Sequence, residues 1–262
     1  MTGTIGTQGR RGSNMSLSDT KQEWEDLGEL DACWATITDP EQKFGRGDID
    51  KYLATGELEI EGVMAAARRL GHPREHRTAL DFGCGLGRLT RALSRHFDQC
   101  WGVDISESMI ARATELHRSL ESCQFLVNSE DRLAMFADGQ FDLIYSNVVL
   151  EHAPDTATIE GYIGELVRTL QQGGILIFQL PCYIPWRKRV QPRRRLYHLL
   201  RALGVDKRFL YERLALYPIR MNFVPERNVV ALLEQLGATV LDVHPDTNAG
   251  PMIESRTYYA TR

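Results

Sequence analysis

No apolar run in this chain approaches the roughly 20 residues of a membrane-spanning helix. The opening MTGTIGTQGRRGSNM is polar and glycine-rich and shows no apolar h-region, so a disordered tail over residues 1–15 is expected rather than a secretory leader. Cysteine is scarce and badly spaced for stapling. Cys33, Cys84, Cys100, Cys123 and Cys182 are odd in number and form no CxxC pair, which points to reduced thiols in a cytoplasmic protein. Charge of one sign is missing too, with 31 Lys and Arg against 35 Asp and Glu. No internal repeat is visible, which sets repeat architectures aside.

What is present is one domain's worth of chain, 262 residues with 43% apolar composition, able to bury a sizeable core. The net charge of −4 hides an asymmetry. Residues 181–222 hold eleven Lys or Arg against only Asp206 and Glu212, so a strongly basic piece sits on an acidic body.

A helix capped near Ser18 or Asp19 is predicted over 16–34, followed by a loop rich in breakers at 39–50 and a helix over 56–71 ending at a glycine. An alternation then begins. Short apolar strands are predicted at 78–82, 99–104, 124–128, 141–146 and 174–180, with amphipathic helices at 87–96, 106–119 and 157–172. A helix at 225–236 and strands at 238–244 and 255–261 complete the chain. The pattern predicts a doubly wound α/β fold, a seven-stranded, mostly parallel sheet with helices on both faces and its last strand antiparallel. Residues 16–77 would form an N-terminal helical cap, and 181–222 an insertion after the fifth strand, within a single domain over 16–262.

The chemistry centres on ALDFGCGLGRLT, residues 79–90. A strand running through glycines into a helix exposes backbone at the strand's carboxyl end, where open α/β sheets bind ligands. A dinucleotide loop is spaced G-x-G-x-x-G to hold a pyrophosphate. Here Gly83, Gly85 and Gly87 alternate, and Asp81 precedes them. An acid there repels a pyrophosphate and attracts a cation, which argues against a nicotinamide oxidoreductase and for a ligand carrying an ammonium or sulfonium. Asp104 ends the second strand, where a carboxylate can accept from both hydroxyls of a ribose.

LDFGCGLGRLT, GVDIS and FDLIYSNVVLEH together resemble the class I S-adenosylmethionine-dependent methyltransferases, in that family's order and spacing over about residues 57–180 and the last two strands. The resemblance implies a Rossmann-like fold, S-adenosylmethionine as cofactor and S-adenosylhomocysteine as product. It places Gly83, Gly85 and Gly87 around the methionine part, Asp81 near the ammonium, Asp104 on the ribose, Ile105 on the adenine and Met109 as a further apolar contact. The family's usual Asp after the third strand falls on Glu130, a departure that leaves Ser129 or Asp131 as alternatives for the adenine amino group. Asn147 lies where the family contacts the cofactor after the fourth strand. Arg46 is a candidate partner for the cofactor carboxylate, and Trp24, Trp34 and Phe44 would close the N-terminal region over the site.

His152 follows the fourth strand, where related small-molecule O-methyltransferases place a general base, and an imidazole titrating near neutrality suits that work. Glu151 is expected to point away. The SNVVLE run lacks the [NDS]-P-P-[YF] signature of nucleobase amino-methylating enzymes. Cys182 lacks the second cysteine that carbon-methylating enzymes carry. No metal is expected, since Pro73 separates His72 from His76 and the group Asp242, His244 and Asp246 has no ligand spacing.

In the insertion, Leu196, Leu199, Leu200 and Leu203 fall on one helical face among arginines. A lid with leucines packed inward and arginines on an anionic acceptor, a contact with an anionic membrane surface through 186–203, and a nucleic-acid grip are the three readings, besides a plain solvated face. Nucleic acid is the weakest, given the acidic body. The favoured activity is methyl transfer to a hydroxyl of a sugar, glycan, glycolipid or hydroxylated small molecule. The alternatives are a phenol- or quinone-like lipid acceptor and a catalytically idle cofactor-binding subunit, with oligomeric state left open.

Overall fold

The computed structural model describes residues 16–37 and 48–262. The expected tail at 1–15 and Arg46 with Phe44 lie outside the described residues. The cap is two helices, α1 (Leu17–Ile37) and α2 (Ile49–Arg69). The sheet follows as β1 (Thr78–Phe82), β2 (Gln99–Asp104), β3 (Cys123–Val127), β4 (Phe141–Ser146), β5 (Leu170–Tyr183), β6 (Thr239–Asp246) and β7 (Glu254–Thr261). Between these run α3 (Arg88–Leu93), α4 (Glu107–Leu116), α5 (Thr156–Thr169), the insertion helices α6 (Trp186–Arg189), α7 (Pro192–Ala202) and α8 (Lys207–Leu214), and α9 (Glu226–Gln235).

The strand order is β3-β2-β1-β4-β5-β7-β6, parallel except for β7, which runs antiparallel to both neighbours. The chain reverses its direction of growth between β1 and β4, so the ends of β1, β2 and β4 open a crevice at the switch point. The central strands β1, β4 and β5 are buried on both faces. Along β5, Ile175 and Ile177 face the α2–α3 layer while Leu176, Phe178 and Leu180 face α5 and α9. That two-sided burial is why β5 reads as a continuous apolar run rather than an alternation.

Most helices and the outer strands differ from their predicted bounds by a few residues. Helix α2 begins at Ile49, not at 56, because Asp48 caps it by accepting from the amides of Asp50 (3.0 Å) and Lys51 (3.3 Å). Gly56 is interior to it, and a Cβ there would sit 2.6 Å from the Arg88 carbonyl oxygen, so glycine is what lets α2 approach α3. Strand β3 ends at Val127, one residue early. Helix α5 stops at Thr169 and passes directly into β5, whose first residue, Leu170, pairs with Phe141.

Helix α1 is kinked at Asp31, whose backbone is extended and whose Oδ1 accepts from the Trp34 amide at 3.3 Å, capping the segment beyond it. It docks through Glu25, which accepts from the Glu107 amide and, at 3.2 Å, from the Ser108 amide. A carboxylate there satisfies free amides and the positive end of α4. Charged pairs join α1 to the insertion as well. Arg194 meets Glu23 at 2.6 Å, Lys207 meets Asp26 and Glu29 at 2.8 and 2.7 Å, and the Tyr211 hydroxyl donates to Asp31 at 2.9 Å.

Candidate functional site

The crevice at the switch point is a cleft lined by Gly83, Gly85, Asp104, Asn147 and His152. Its floor comes from the ends of β1, β2 and β4, and its roof from α1 and the segment after β4.

The floor is held by short-range bonds. The amides of Gly83 and Cys84 donate to the Val103 carbonyl at 2.7 and 3.0 Å, Gly85 to Asp104 Oδ2 at 2.9 Å, and Gly87 to the Cys84 carbonyl at 2.8 Å. A phosphate-binding loop needs its amides free for the anion. Here these four are spent inside the fold, which excludes a pyrophosphate cradle built from them and favours a ligand recognised by shape and by Asp104. Gly83 and Gly85 have φ of +84° and +52°. A Cβ on Gly85 would meet Thr36 Cγ2 at 2.2 Å, and one on Gly83 would meet Val149 Cγ2 at 2.2 Å, so no side chain fits at either place.

Asp104 lines the cleft and accepts from the amides of Gly85 and Ser106 (3.0 Å). Each carboxylate oxygen has a second lone pair for a ligand hydroxyl. Burial pushes the Asp104 carboxyl above its usual range, against the pull of those amides. Ile105, Met109 and Asn147 line the same cleft. Asn147 is oriented from the cap, since its Nδ2 donates to Glu59 Oε1 of α2 at 2.8 Å. The Tyr145 hydroxyl and Arg88 converge on the same carboxylate, at 2.9 and 2.7 Å.

Three of the expected residues do not line this cleft. Asp81 is buried beneath the glycine loop, accepts from Thr90 Oγ1 at 2.7 Å, and does not line the cleft. Burial there lifts its carboxyl to about 7. Gly87 is also set back from the cleft. A Cβ there would lie 2.5 Å from Phe125 Cε1, so its glycine serves packing against β3. The Glu130 side chain is exposed, and the residue contributes only its carbonyl, which accepts from Asn128 Nδ2 (3.1 Å) and the Tyr162 hydroxyl (2.9 Å). Asn128 lines the cleft in its place. Counting forward from the end of β3, where the Asn128 amide bonds the Asp104 carbonyl at 2.9 Å, would have found it.

His152 forms part of the roof and is 8% exposed. Its Nδ1 donates to the Arg220 carbonyl at 2.6 Å, which fixes the tautomer and leaves Nε2 unprotonated. Burial drops its pKa to about 4, so the ring is neutral at physiological pH. Trp24 of α1 packs on it with ring centroids 5.2 Å apart. Glu151 does not point away as expected. It is fully buried, its Oε1 lies 3.9 Å from His152 Nε2, and burial raises its carboxyl to about 7. The end of the insertion clamps this segment, with the Asn222 amide donating to the Glu151 carbonyl at 2.7 Å and Asn222 Nδ2 to the Ala153 carbonyl at 2.6 Å.

The bend between β4 and His152 passes through Val148 at φ +59°, a strained position for a β-branched residue, costing about 1–3 kcal/mol. Gln179 holds it there, its Oε1 accepting from the Val148 amide at 3.0 Å. Gln179 went unnoticed in the sequence, although a lone amide inside GILIFQL is the signal such a residue leaves. Thr20, Leu17 and Tyr162 also line the cleft without having been singled out.

Cys182 is bonded through Sγ to the Glu254 carbonyl at 3.4 Å and stands apart from the cleft. Among the described residues no group of three or more His, Cys, Asp or Glu is arranged to hold a metal ion, and no helix is long and apolar enough to cross a membrane.

Comparison with known proteins agrees with this geometry. Residues 80–178 match the sequence model of the family described as "Methyltransferase domain". A 2-methyl-6-phytyl-1,4-hydroquinone methyltransferase of Synechocystis sp. is 29% identical over 167 residues, 63% of this chain and 51% of that one. A ubiquinone biosynthesis O-methyltransferase of Methylococcus capsulatus is 30% identical over 50% of this chain and 53% of its own. The chain thus spans about half the length of the curated relatives it matches. Among solved structures, the magnesium protoporphyrin IX methyltransferase of Synechocystis with bound SAH superposes with a TM-score of 0.61 at 17% identity, covering 94% of this chain and 100% of that one, a likeness of fold.

Proposed function

We propose, on the premise that this chain carries a class I methyltransferase domain over residues 80–178, that it transfers a methyl group from S-adenosylmethionine to the hydroxyl of a small phenol- or quinol-like acceptor. The observation that carries the reading is a single cleft with Asp104 and the closed glycine loop on its floor and a neutral, tautomer-fixed His152 in its roof.

The residues present suit the cofactor. The Asp104 oxygens retain lone pairs for ribose hydroxyls, Ile105 and Met109 supply apolar surface for the adenine, and Asn128 offers a polar edge. The bare backbone at Gly83 and Gly85 admits the close approach of the methionine part. S-adenosylmethionine, when bound, supplies an electrophilic methyl on a sulfonium. The chain's own residues then align and deprotonate the acceptor. Alignment in a closed cleft is the larger contribution, and His152 Nε2 takes the hydroxyl proton. The proton then rests on an imidazolium whose neighbour, 3.9 Å away, is the Glu151 carboxyl.

The weak basicity of His152 bears on the acceptor. A ring whose pKa is about 4 removes a proton from a phenol, which titrates near 10, far more readily than from a sugar alcohol. The cleft also presents Leu17, Trp24, Val149 and Leu150 on its roof side, an apolar wall suited to an aromatic ring. Both features move the phenol- or quinol-like acceptor ahead of the glycan favoured on sequence. The names of the two curated relatives, a phytyl-hydroquinone and a ubiquinone-pathway methyltransferase, support the same choice.

The test is transfer of labelled methyl to a panel of hydroquinones, catechols, hydroxylated acids and sugars, with cofactor binding followed by calorimetry. Label in the phenolic acceptors supports the assignment. Label confined to sugars overturns it, and tight cofactor binding with no transfer to any fraction of a cell extract would make the chain an idle binding subunit.

A further inference from the structure

The insertion's amphipathic helix does not pack as its pattern suggests. In α7, Tyr197 and Leu200 turn inward onto Leu210 and Leu216, while Arg194 and His198 reach Glu23 on the cap. Leu196, Leu199 and Leu203 are left outside that contact and stand 45%, 58% and 72% exposed. At spacings of three and four residues they form one stripe along the helix. Arg193 and Arg195 flank that stripe on either side, both exposed and, among the described residues, neither in a recorded ion pair. The preceding α6 adds Trp186, 68% exposed, with the Arg187 guanidinium 5.5 Å from its ring centroid. No acid occurs anywhere in 186–202.

We propose that this face of α7 seats on an anionic lipid bilayer. Three leucines held out of the core by the same helix that buries Tyr197 are an unpartnered apolar surface, and their arginine border states the partner's charge. Apolar residues lodging below the headgroups with cations among the phosphates is the way an interfacial helix lies in a membrane plane. Charge sets the orientation too. The insertion is basic on an acidic body, so an anionic surface attracts this face and repels the rest. Residues 220–222, at the far end of the same insertion, clamp the segment carrying His152, so the attached face is continuous in chain with the acceptor side of the cleft. The inference goes beyond the acceptor assignment and stands without it, because it rests on the insertion's surface alone.

The test is co-sedimentation of the full chain with vesicles of phosphatidylcholine alone and of equal parts phosphatidylcholine and phosphatidylglycerol. Binding is expected to the mixed vesicles only. Arg193→Gln with Arg195→Gln should weaken it about 30-fold, at roughly tenfold per 1.4 kcal/mol and about 1 kcal/mol per cation. Leu199→Glu with Leu203→Glu should abolish it, while both double variants keep the wild-type melting midpoint and the wild-type rate on a water-soluble hydroquinone. Equal sedimentation with both vesicle types overturns the proposal. So does a leucine variant that sediments like wild type, and so does wild-type protein that binds single-stranded RNA more tightly than the vesicles. If the soluble hydroquinone is not methylated while the vesicle results hold, the acceptor assignment fails and this one stands.

Discussion

The floor and the roof of the cleft are built on different principles. In the glycine-loop part of the floor, the bonds join residues close in sequence, with Gly85 to Asp104 spanning only 19 positions and Gly87 to Cys84 three, whereas Asn147 at the β4 end is held by Glu59 across 88. On the roof, Arg220 holds His152 across 68 positions, and Tyr211 reaches Asp31 across 180. The floor is one strand-end motif whose amides are internally spent, so it presents a single rigid shape. The roof is assembled from a cap, a strained bend and an insertion that hold one another. On the proposed function, the floor would take the cofactor, and the acceptor would be selected where three distant segments meet.

The largest separation of the two halves should come from Asp104→Ala. Losing two charge-assisted bonds to a ribose, each worth roughly 1.5–3 kcal/mol, should weaken cofactor binding about 10²–10⁴-fold by calorimetry. A dissociation constant within threefold of wild type would show that Asp104 serves only the loop.

Next in size, and opposite in character, is His152→Ala. The transfer rate at saturating cofactor should fall about 10²–10³-fold, with cofactor affinity unchanged. In the wild type that rate should stay level from alkaline pH down to mildly acidic pH and drop only near pH 4, where the ring takes up a proton. A rate within twofold of wild type in the variant would leave the roof without its base.

How far this was legible beforehand follows the same division. Strands β1, β2 and β4 lie where their apolar runs end, because a buried strand bounded by polar residues and glycine carries its limits in local composition. Asp104 and the alternating glycines were visible for the same reason. The burial of Asp81 against Thr90 was not legible, because spacing puts the acid beside the loop but does not say on which side of β1 it emerges. Gly56 read as a helix start when it marks a close approach to Arg88, a fact owned by the partner helix. The Arg220 carbonyl has no side-chain signature at all, so no pattern could have tied it to His152. The leucines of α7 show a helical face but not which half of that face the body takes up.

Smaller effects should appear as pH-dependent stability, because roof and floor both bury titratable groups. Asp81 and Glu151, lifted from 3.8 and 4.5 to about 7, keep protons in the native chain that the unfolded chain has lost, so stability falls as pH rises toward 7. His152, lowered from 6.5 to about 4, acts in the opposite sense, since the unfolded chain holds the proton and stability rises with pH. Two carboxyls outweigh one imidazole, so between about pH 4.5 and 6.5 these groups together should cost about 1.4 kcal/mol per pH unit as pH rises. Glu151→Gln removes one of the two and should flatten that slope in urea melts. An unchanged slope would mean that Glu151 is ionised throughout.

The smallest effect tests whether the roof's charged pairs shape the acceptor side or merely decorate it. Lys207 bridges Asp26 and Glu29, and Glu29 is mostly exposed, so solvent screens that pair to roughly 0.2–1 kcal/mol. Lys207→Met keeps the stem's packing and removes the charge. If cap and insertion act as one roof, the acceptor KM should rise about two- to fivefold while cofactor affinity and the saturated rate hold, because alignment at His152 depends on the insertion's far end rather than on α8. A parallel loss of cofactor affinity would join the two halves that the bonding pattern separates. The double variant with Asp26→Asn should then be little worse than Lys207→Met alone, since Asp26 has lost its cation and keeps only the bond from Gln22 Nε2 at 3.2 Å.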